Sequence, residues 1–467
     1  MKFNLDLYVY ILITAYKKSI KIGEIMIKLS DHFNFGRLLK FALPSIIMMV
    51  FSSVYGVVDG FFVSNYAGKT AFAAVNFIIP FTLILGSFGF MFGTGAGALI
   101  SKTLGEGDNK KANEIFSMIV YISIGVGVFF SVVGLLVLRP VASLLGATGE
   151  MLEQCIIYGR ILLISLPFYI LQYEFQCLFA TAEKPSLGLF VTLLAGCSNM
   201  VLDALFVAVW KMGAAGAAIA TGVCQFLGGV IPIIYFARKN NSLLRLGKCR
   251  LDFGVILKTC TNGSSEFLSN VSMSLVSMLY NVQLMKYAGE NGIAAYGVLM
   301  YVAMIFLAIF IGYSVGTAPV VGYNFGAGNK KELENVFKRS LILIAAGAVL
   351  MFISGEVLAV PLSKLFVGYE PDLLDMTERG FYIFSFAFLF AGFSIYASSF
   401  FTALNDGLVS AIISVMRTLV FQIAAVLILP VFLKLDGIWI SIVVAEVLTL
   451  LPTVFFLLTK RKKYGYA

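Results

Sequence analysis

The chain has 467 residues, of which 60% are hydrophobic and 13% are charged, and its mean hydropathy is +0.93. Soluble globular domains carry roughly 25% charged residues, so this composition excludes a soluble protein. The formal net charge of +9 comes from basic residues spread over many short segments, which argues against a nucleic-acid-binding face. The aromatic fraction of 14% and the long apolar runs exclude disorder. The composition therefore indicates an integral membrane protein.

Residues 1–33 precede the first long apolar window and are predicted to form a cytoplasmic or interfacial extension. The apolar stretch 7–15 is too short to cross a bilayer, and no small-residue cleavage site follows it. An alternative hypothesis is that residues 1–25 lie upstream of a true start at Met26.

Apolar windows separated by charged residues or by Gly and Pro predict twelve membrane-spanning helices. About 20 apolar residues cross a hydrocarbon core of about 30 Å, whereas barrel strands would alternate apolar and polar residues in shorter runs. The predicted spans are 38–64, 71–101, 112–138, 156–181, 185–209, 213–237, 263–287, 293–323, 336–360, 379–403, 408–431 and 436–459. We therefore predict an all-α membrane protein with twelve transmembrane helices.

The sequence contains an internal repeat. A shift of 221 residues superposes the halves without a gap: YAGKTAFAA at 66–74 falls on YAGENGIAA at 287–295, and Gly105 falls on Gly326. Because each half holds six spans, the halves have the same orientation and are related by a pseudo-twofold axis along the membrane normal. Glycines in spans 2 and 8 permit close approach of helices.

The repeat and the spans together define the predicted domain organisation. Two six-helix lobes joined by one linker suit alternating access, with substrate bound between the lobes near the midplane. The alternative is a duplicated structural protein or a channel. The units are the N-lobe (34–237), a basic cytoplasmic linker (238–262), the C-lobe (263–460) and a cytoplasmic tail (461–467).

The distribution of basic residues predicts the orientation. Of the 34 Lys and Arg residues, 25 fall on the side of the two termini and seven on the opposite side. The positive-inside rule therefore places both termini in the cytoplasm, and we expect a multi-pass protein of a prokaryotic inner membrane.

Metal, redox and enzyme chemistry find little support. The six cysteines form no CxxC pair, and the single histidine, His32, lies in the N-terminal flank. The sequence has no HExxH motif, and a single histidine gives little basis for a Ser/His or Cys/His site. We expect no cofactor and no catalytic activity.

Five polar residues of the N-lobe are predicted to converge at one depth in the membrane. Tyr55 and Asp59 in span 1 are four residues apart and share a helix face. Asn199 and Asp203 in span 5 repeat this spacing, and span 6 contributes Thr221. Ionisable groups within spans are costly, so they mark functional sites by default.

The chemistry of this set suits a small cation. Carboxylates with amide and hydroxyl oxygens suit a hard cation, and two like-charged carboxyl groups also favour keeping a proton. We therefore predict a cation-coupling site for Na⁺ or H⁺. The Na⁺ ligands would be Asp59, Asn199, Asp203 and Thr221. The alternative is a hydrogen-bonded polar cluster that holds helices together.

The C-lobe has no matching pair of carboxylates. The repeat places Tyr280 and Ala424 opposite the two aspartates. Arg417 and Glu446, near the middle of spans 11 and 12, are predicted to form a structural ion pair, since either charge alone would be expensive in lipid. Glu266, near the inner end of span 7, is a second cation site, a substrate contact, or a residue of a wet vestibule.

Across roughly residues 33–460 these features resemble the multidrug and toxic compound extrusion (MATE) family. The resemblance rests on LPSIIMMVFSSVYGVVDGFFVSNYAG in span 1, the GEGD turn after span 2, NMVLDALFV in span 5 and MGAAGAAIAT at the start of span 6. The acidic residue of span 1 and the Asn and Asp of span 5 are similar to the pattern of the DinF-type branch. Glu266 is similar to the span 7 glutamate of the NorM-type branch, whose remaining C-lobe acidic pattern is not evident here.

The resemblance implies an antiporter that exports organic, often cationic and aromatic, compounds against inward flow of Na⁺ or H⁺. The expected partners are the lipid bilayer and lipophilic cationic substrates, and we expect a monomer. The alternative is a flippase of the same superfamily that moves lipid-linked sugars. A pyrophosphate headgroup would call for several basic residues within the spans, and only Arg160 and Arg417 qualify.

Overall fold

The computed structural model describes residues 27–368 and 370–467. The segment 1–26, with the predicted interfacial stretch and the alternative start, lies outside the described residues. The described part of the chain is helical and contains no strand. Its long helices are α1 (Phe35–Tyr66), α2 (Lys69–Gly105), α3 (Asn109–Leu145), α4 (Gly149–Thr181), α5 (Pro185–Asp203), α6 (Gly213–Ala237), α7 (253–288), α8 (290–326), α9 (Lys330–Val367), α10 (Pro371–Ala403), α11 (407–433) and α12 (435–464).

Two pairs of consecutive helices follow each other without a loop, and in each pair a single residue of positive φ separates the two helices. Helices α7 and α8 meet at Gly289 (φ +62), and α11 and α12 meet at Lys434 (φ +51). Ten long apolar runs in the described residues therefore make twelve spans, as the sequence predicted. The seventh helix begins at Phe253, so residues 253–262, assigned to the linker from the sequence, are helical. The last helix reaches Tyr464, which includes part of the predicted tail.

The two halves of the chain repeat in structure as well as in sequence. Asp108 caps α3 by accepting a hydrogen bond from the Lys111 amide, and Asn329, 221 positions later, caps α9 in the same way. At the starts of α4 and α5 the offset becomes 222, because α9 is one residue longer than α3, and at the positive-φ residues Lys211 and Lys434 it is 223. The predicted gap-free register is therefore wrong in the second part of each lobe. The residue opposite Asp203 becomes Ala425 instead of Ala424.

Each lobe has its own hydrophobic core. One cluster of buried side chains draws on α2 to α6, and the other on α7 to α12 together with the start of α1. Removing apolar surface from water is favourable by about 25 cal/mol per Å², but lipid tails are as apolar as the side chains, so this gain is absent between helices in a bilayer. Close packing of small residues therefore matters more in membranes. The lobes are thus separate packing units.

The lobes touch through glycines on what we call the terminus side, where α1 begins and α2, α8 and α12 end. A Cβ added to Gly105 would lie 2.0 Å from the Tyr323 carbonyl oxygen, and one added to Gly326 would lie 2.0 Å from the Lys102 carbonyl oxygen. Since Tyr323 and Lys102 are also 221 residues apart, the contact is reciprocal about the pseudo-twofold axis. Only glycine allows these backbones to come so close.

A second pair of glycines extends this contact deeper into the molecule. A Cβ on Gly95 of α2 would lie 2.0 Å from the Thr259 carbonyl oxygen of α7. A Cβ on Gly263 of α7 would lie 1.9 Å from the Met91 carbonyl oxygen of α2. The lobes are therefore closed against each other on the terminus side.

The segment between the lobes is attached to α3. Asn113 accepts a hydrogen bond from the Arg245 amide (2.6 Å), and Ser117 accepts one from the Gly247 amide (3.0 Å). Tyr121, one further turn along α3, donates to the Gly247 carbonyl (3.2 Å). Three side chains at four-residue spacing thus bind the linker backbone to the N-lobe.

Residues 27–34 bridge the lobes on the terminus side. The Leu29 amide donates to Glu183 of the N-lobe (2.7 Å), whereas the Phe33 amide donates to Glu332 of the C-lobe (2.8 Å). His32 Nδ1 lies 2.7 Å from the other carboxylate oxygen of Glu332. This segment therefore connects both lobes where they touch.

We expect Gly105→Ala and Gly326→Ala to weaken closure on the terminus side, because a methyl group cannot fit 2.0 Å from a backbone oxygen. Overpacking of this kind costs about 1–3 kcal/mol. Spin labels on the exposed Lys110 and Lys331 should give longer or broader distance distributions in both variants. Gly125→Ala, which meets nothing within 4 Å, is the control. Unchanged distributions in the first two variants would contradict the packing argument.

Candidate functional site

The N-lobe site begins with the close packing of α1 on α5. A Cβ added to Gly196 of α5 would lie 2.5 Å from the Phe51 ring and 2.8 Å from the Tyr55 ring, both on α1. Asp59 stands one turn after Tyr55 on α1, and Asp203 stands two turns after Gly196 on α5. Asp203 ends α5, and a π-helical turn (Ala204–Val209) follows. Such turns are frequent at functional sites.

The structure brings the two predicted carboxyl groups together. The side chains of Asp59 and Asp203 lie beside each other. Asp203 has no exposed surface, and Asn199, one turn earlier on α5, is 1% exposed. The predicted pair is therefore one site, not two separate pockets.

Most polar atoms of this site have no hydrogen-bond partner in the protein. The unpartnered buried atoms include one carboxylate oxygen of Asp59, both of Asp203, both amide atoms of Asn199 and the Thr221 hydroxyl. Buried polar groups are nearly always hydrogen-bonded, and each exception needs an explanation. Oxygen atoms of this kind match the ligand preference of hard cations, so the set fits a small cation or protons.

Further residues complete the site and were not identified from the sequence. Tyr55 lies beside Gln172 of α4, and the Gln172 amide contacts the Cys224 thiol of α6 (4.0 Å). Tyr158, also on α4, lies within electrostatic reach of both aspartates, as does Cys224 of α6. Thr221 stands one turn before Cys224. Gln172 could have been identified from the sequence, because it is a polar residue within an apolar span and such residues normally face the protein interior.

The C-lobe cluster of Tyr280, Arg417, Gln422, Ser441 and Glu446 has its polar groups satisfied. Arg417 lies in a π-helical turn (Met416–Val420), and its guanidinium binds Glu446 through Nη2 (2.8 Å) and through Nε (2.9 and 3.0 Å). Tyr280 donates to Gln422 (2.7 Å) and shares a 2.8 Å hydrogen bond with Ser441. The two lobes thus differ: the N-lobe cluster has free ligand atoms and the C-lobe cluster does not.

Glu266 lies apart from the aspartates, at the interface between the lobes. It lines a cavity of about 20 Å³ together with Cys177 and Thr181 of α4. The Thr181 hydroxyl is buried and has no partner. A cavity of this size holds one or two water molecules and no organic molecule. The space between the lobes is therefore closed at this depth.

Glu174 of α4 is a buried carboxyl group that the sequence analysis missed. It has no exposed surface, and neither of its oxygens has a hydrogen-bond partner. It lies within predicted span 4, so the rule that an ionisable residue in a span marks a functional site would have identified it.

Two six-helix lobes that repeat one another, close at one end and hold unpartnered carboxyl groups define a two-lobed membrane transporter. The model of the MatE family matches residues 44–205 and 267–428, once in each lobe. The chain belongs to this family, the MATE transporters, which confirms the resemblance seen in the sequence. The match does not specify a branch of the family.

Several characterised proteins are similar to the chain. Multidrug export protein MepA of Staphylococcus haemolyticus is 28% identical over 67% of the chain and 69% of its own length. MepA of Staphylococcus aureus (strain MSSA476) is 24% identical over 92% of the chain and 94% of its length. The structure of a multidrug resistance MATE family transporter of the MOP superfamily, in an outward-facing conformation, has a TM-score of 0.86 at 22% identity, covering 92% and 95% of the two chains.

We expect single substitutions at the C-lobe ion pair to destabilise the protein. Arg417→Met or Glu446→Gln should lower its free energy of unfolding by about 3–5 kcal/mol, because one buried charge is left without its partner. The double variant should recover most of the loss. Thermal unfolding in detergent measures this. If the double variant were less stable than the wild type by the sum of the two single losses, the ion pair would have no structural role.

Proposed function

We propose that the protein is a cation-coupled antiporter that exports organic compounds by alternating access. The orientation follows from the 25 basic residues on the terminus side, which we take as the cytoplasmic face of a bacterial cell membrane. The closed contact between the lobes on that side then corresponds to an outward-facing arrangement. A single chain contains both lobes, so we propose that it acts as a monomer.

The observation that carries this proposal is the unpartnered N-lobe set. Two facing carboxyl groups, an amide and a hydroxyl group lie buried with free ligand atoms, and such an arrangement is unstable unless a cation or protons occupy it. A hydrogen-bonded structural cluster would have satisfied these atoms, as Tyr280 and its partners do in the C-lobe. We therefore assign coupling to Asp59 and Asp203, with Tyr55, Asn199 and Thr221 as supporting residues.

The mechanism follows from the position of the site. A cation that arrives from the outer side neutralises the aspartates and changes the packing of α1 against α5 and α6. Coupling requires only that the cation and the exported compound bind the two arrangements of the lobes with different affinities. The cation favours one arrangement of the lobes and the exported compound favours the other. Inward movement of the cation is therefore coupled to outward movement of the compound.

Aromatic side chains suit the proposed cargo. The tilted rings of Tyr169 and Tyr173 of α4 are in contact near Tyr55, and Phe90 of α2 stacks on Tyr173 with ring centroids 4.2 Å apart. These rings are partly exposed. Flat lipophilic cations bind such surfaces through apolar contact and cation–π attraction. The names of the MepA relatives support multidrug export as the activity.

Transport of lipid-linked sugars is not favoured. Of the two basic residues within spans, Arg160 is exposed at the surface and Arg417 is bound to Glu446. Neither offers a free guanidinium to a pyrophosphate group between the lobes. We also propose membership of the DinF-like branch, because the free acidic set lies in the N-lobe. Glu266 remains a hypothesis, either as a second cation site or as a substrate contact.

Asp59→Asn and Asp203→Asn should each reduce ethidium export at least about tenfold, because an amide neither binds nor releases a proton and binds Na⁺ more weakly. Melting temperature in detergent checks that the variants fold. Asp375→Asn, at an exposed position on α10, is the matched control. Wild-type export by both site variants would refute the coupling role of the pair.

Purified protein in proteoliposomes should accumulate ethidium under an outward-directed gradient, higher inside the vesicle, of only one of the two candidate ions. A Na⁺ gradient at equal pH and a pH gradient without Na⁺ are applied separately, and ethidium fluorescence is followed. Dissipation of the effective gradient should stop accumulation, since coupling is the sole source of free energy. Equal accumulation without either gradient would show that the protein is not an antiporter.

A further inference from the structure

The buried carboxyl group of Glu174 is separate from the N-lobe cation site. Successive residues of a helix are rotated by about 100°, so Glu174 points about 200° away from Gln172 around α4. Gln172 faces Tyr55, whereas Glu174 packs on Gly93 of α2, and Cys177, one turn further along α4, lines the cavity between the lobes. A role in the proposed coupling pair therefore does not account for Glu174.

The surroundings of Glu174 offer it no positive charge. On α2, Gly93 packs so closely that an added Cβ would lie 2.9 Å from the Cα of Glu174. On α3, the Ser123 hydroxyl lies near the carboxyl group, but neither makes a hydrogen bond. On α4 itself the neighbouring titratable group is the Cys177 thiol, and beyond it on α7 stands Glu266. None of the ion pairs among the described residues includes Glu174.

An ionised carboxylate cannot be stable in this place. Burying an unpaired charge costs several kcal/mol, so the group instead takes up a proton and becomes neutral. The neutral acid has one O–H donor, and Ser123, whose oxygen is also unpartnered, is an acceptor that a small side-chain rotation would reach. In the closed arrangement Glu174 therefore carries a proton.

Separation of the lobes would bring water within one turn of α4 of Glu174. Cys177, one turn along α4, lines the small cavity between the lobes, and Gly93 lines it from α2. The contact of α2 with α7 through Gly95 and Gly263 closes this region. When α7 moves away, water enters beside Cys177 and reaches the carboxyl group behind it.

We propose that Glu174 is a second proton-binding site, which takes a proton from water as the lobes close on the terminus side and releases it to water as they part there. The proposal rests on the alternating access of the proposed function, and it is independent of the aspartate pair. Closure binds one proton more than opening, so low pH favours the closed arrangement and high pH favours the open one.

Alkylation of the native Cys177 thiol measures separation of the lobes, so no cysteine has to be introduced. Wild-type protein and Glu174→Gln are treated with N-ethylmaleimide across pH values from about 6 to about 8.5, and alkylation of Cys177 is quantified by peptide mass spectrometry. The reactivity of the thiol itself rises with pH in both proteins. The ratio of the two rates at each pH removes this common effect.

The rates should be similar near pH 6, where both proteins carry a neutral side chain in the closed arrangement. Near pH 8.5 the wild type should react at least about fivefold faster, because only its carboxyl group can ionise and favour opening. Glu150→Gln, at an exposed position on the same helix, should behave as the wild type. A ratio that does not change with pH would overturn the proposal.

A second measurement does not require the Glu174→Gln variant to fold, and it removes the contribution of the aspartate pair. Spin labels on Lys110 and Lys331 report lobe separation in the Asp59→Asn, Asp203→Asn double variant. Separation that still increases with pH supports Glu174 as the titrating site. Loss of all pH dependence would assign it to the aspartates and overturn the proposal. Failure of the ion-coupling assay alone would affect only the proposed function.

Discussion

The cost of leaving a polar atom unpaired inside an apolar protein is the constraint on which the arrangement of this transporter depends. In the C-lobe, Arg417 and Glu446 satisfy each other, and the surrounding helices can pack permanently. In the N-lobe, Asp59 and Asp203 face each other without compensation from the protein. A structure can keep such groups only if a mobile ion or proton completes them. The two lobes therefore differ in this respect: the C-lobe pairs its buried charges with each other, whereas the N-lobe leaves its carboxyl groups available to the proposed cation or proton.

Backbone contacts between glycines determine how the lobes meet. Side-chain interfaces can adjust by changing rotamers, but a carbonyl oxygen against a glycine Cα cannot, so the closed contact of Gly105 with Tyr323 either forms completely or is lost. This suits a molecule with two discrete arrangements. The bridging segment 27–34 and the bond from Asn405 to the Ala98 carbonyl (3.2 Å) add polar contacts at the same end.

Hydropathy was sufficient to predict twelve spans, and helical periodicity was sufficient to place Tyr55 and Asp59 on one face of α1, because both depend on spacing within single helices. The approach of Asp203 was predicted from its equal depth in the membrane. Neither hydropathy nor periodicity could predict Tyr158, Gln172 and Cys224 as neighbours, since this depends on how α4 and α6 rotate against α1. The extra residue of α9 and the early start of α7 also escaped prediction, because helices extend beyond the apolar window. Glu174, in contrast, is predictable from the sequence, because it is an ionisable residue within a predicted span.

The attachment of the linker to α3 has a consequence for how this region can change over evolutionary time. Asn113, Ser117 and Tyr121 hold main-chain amides and carbonyls at residues 245 and 247, not side chains. Besides these main-chain bonds, the segment is held by the buried side chain of Leu244. Its exposed side chains, such as Arg250 and Lys248, can therefore change in charge between related proteins without moving the connection between the lobes.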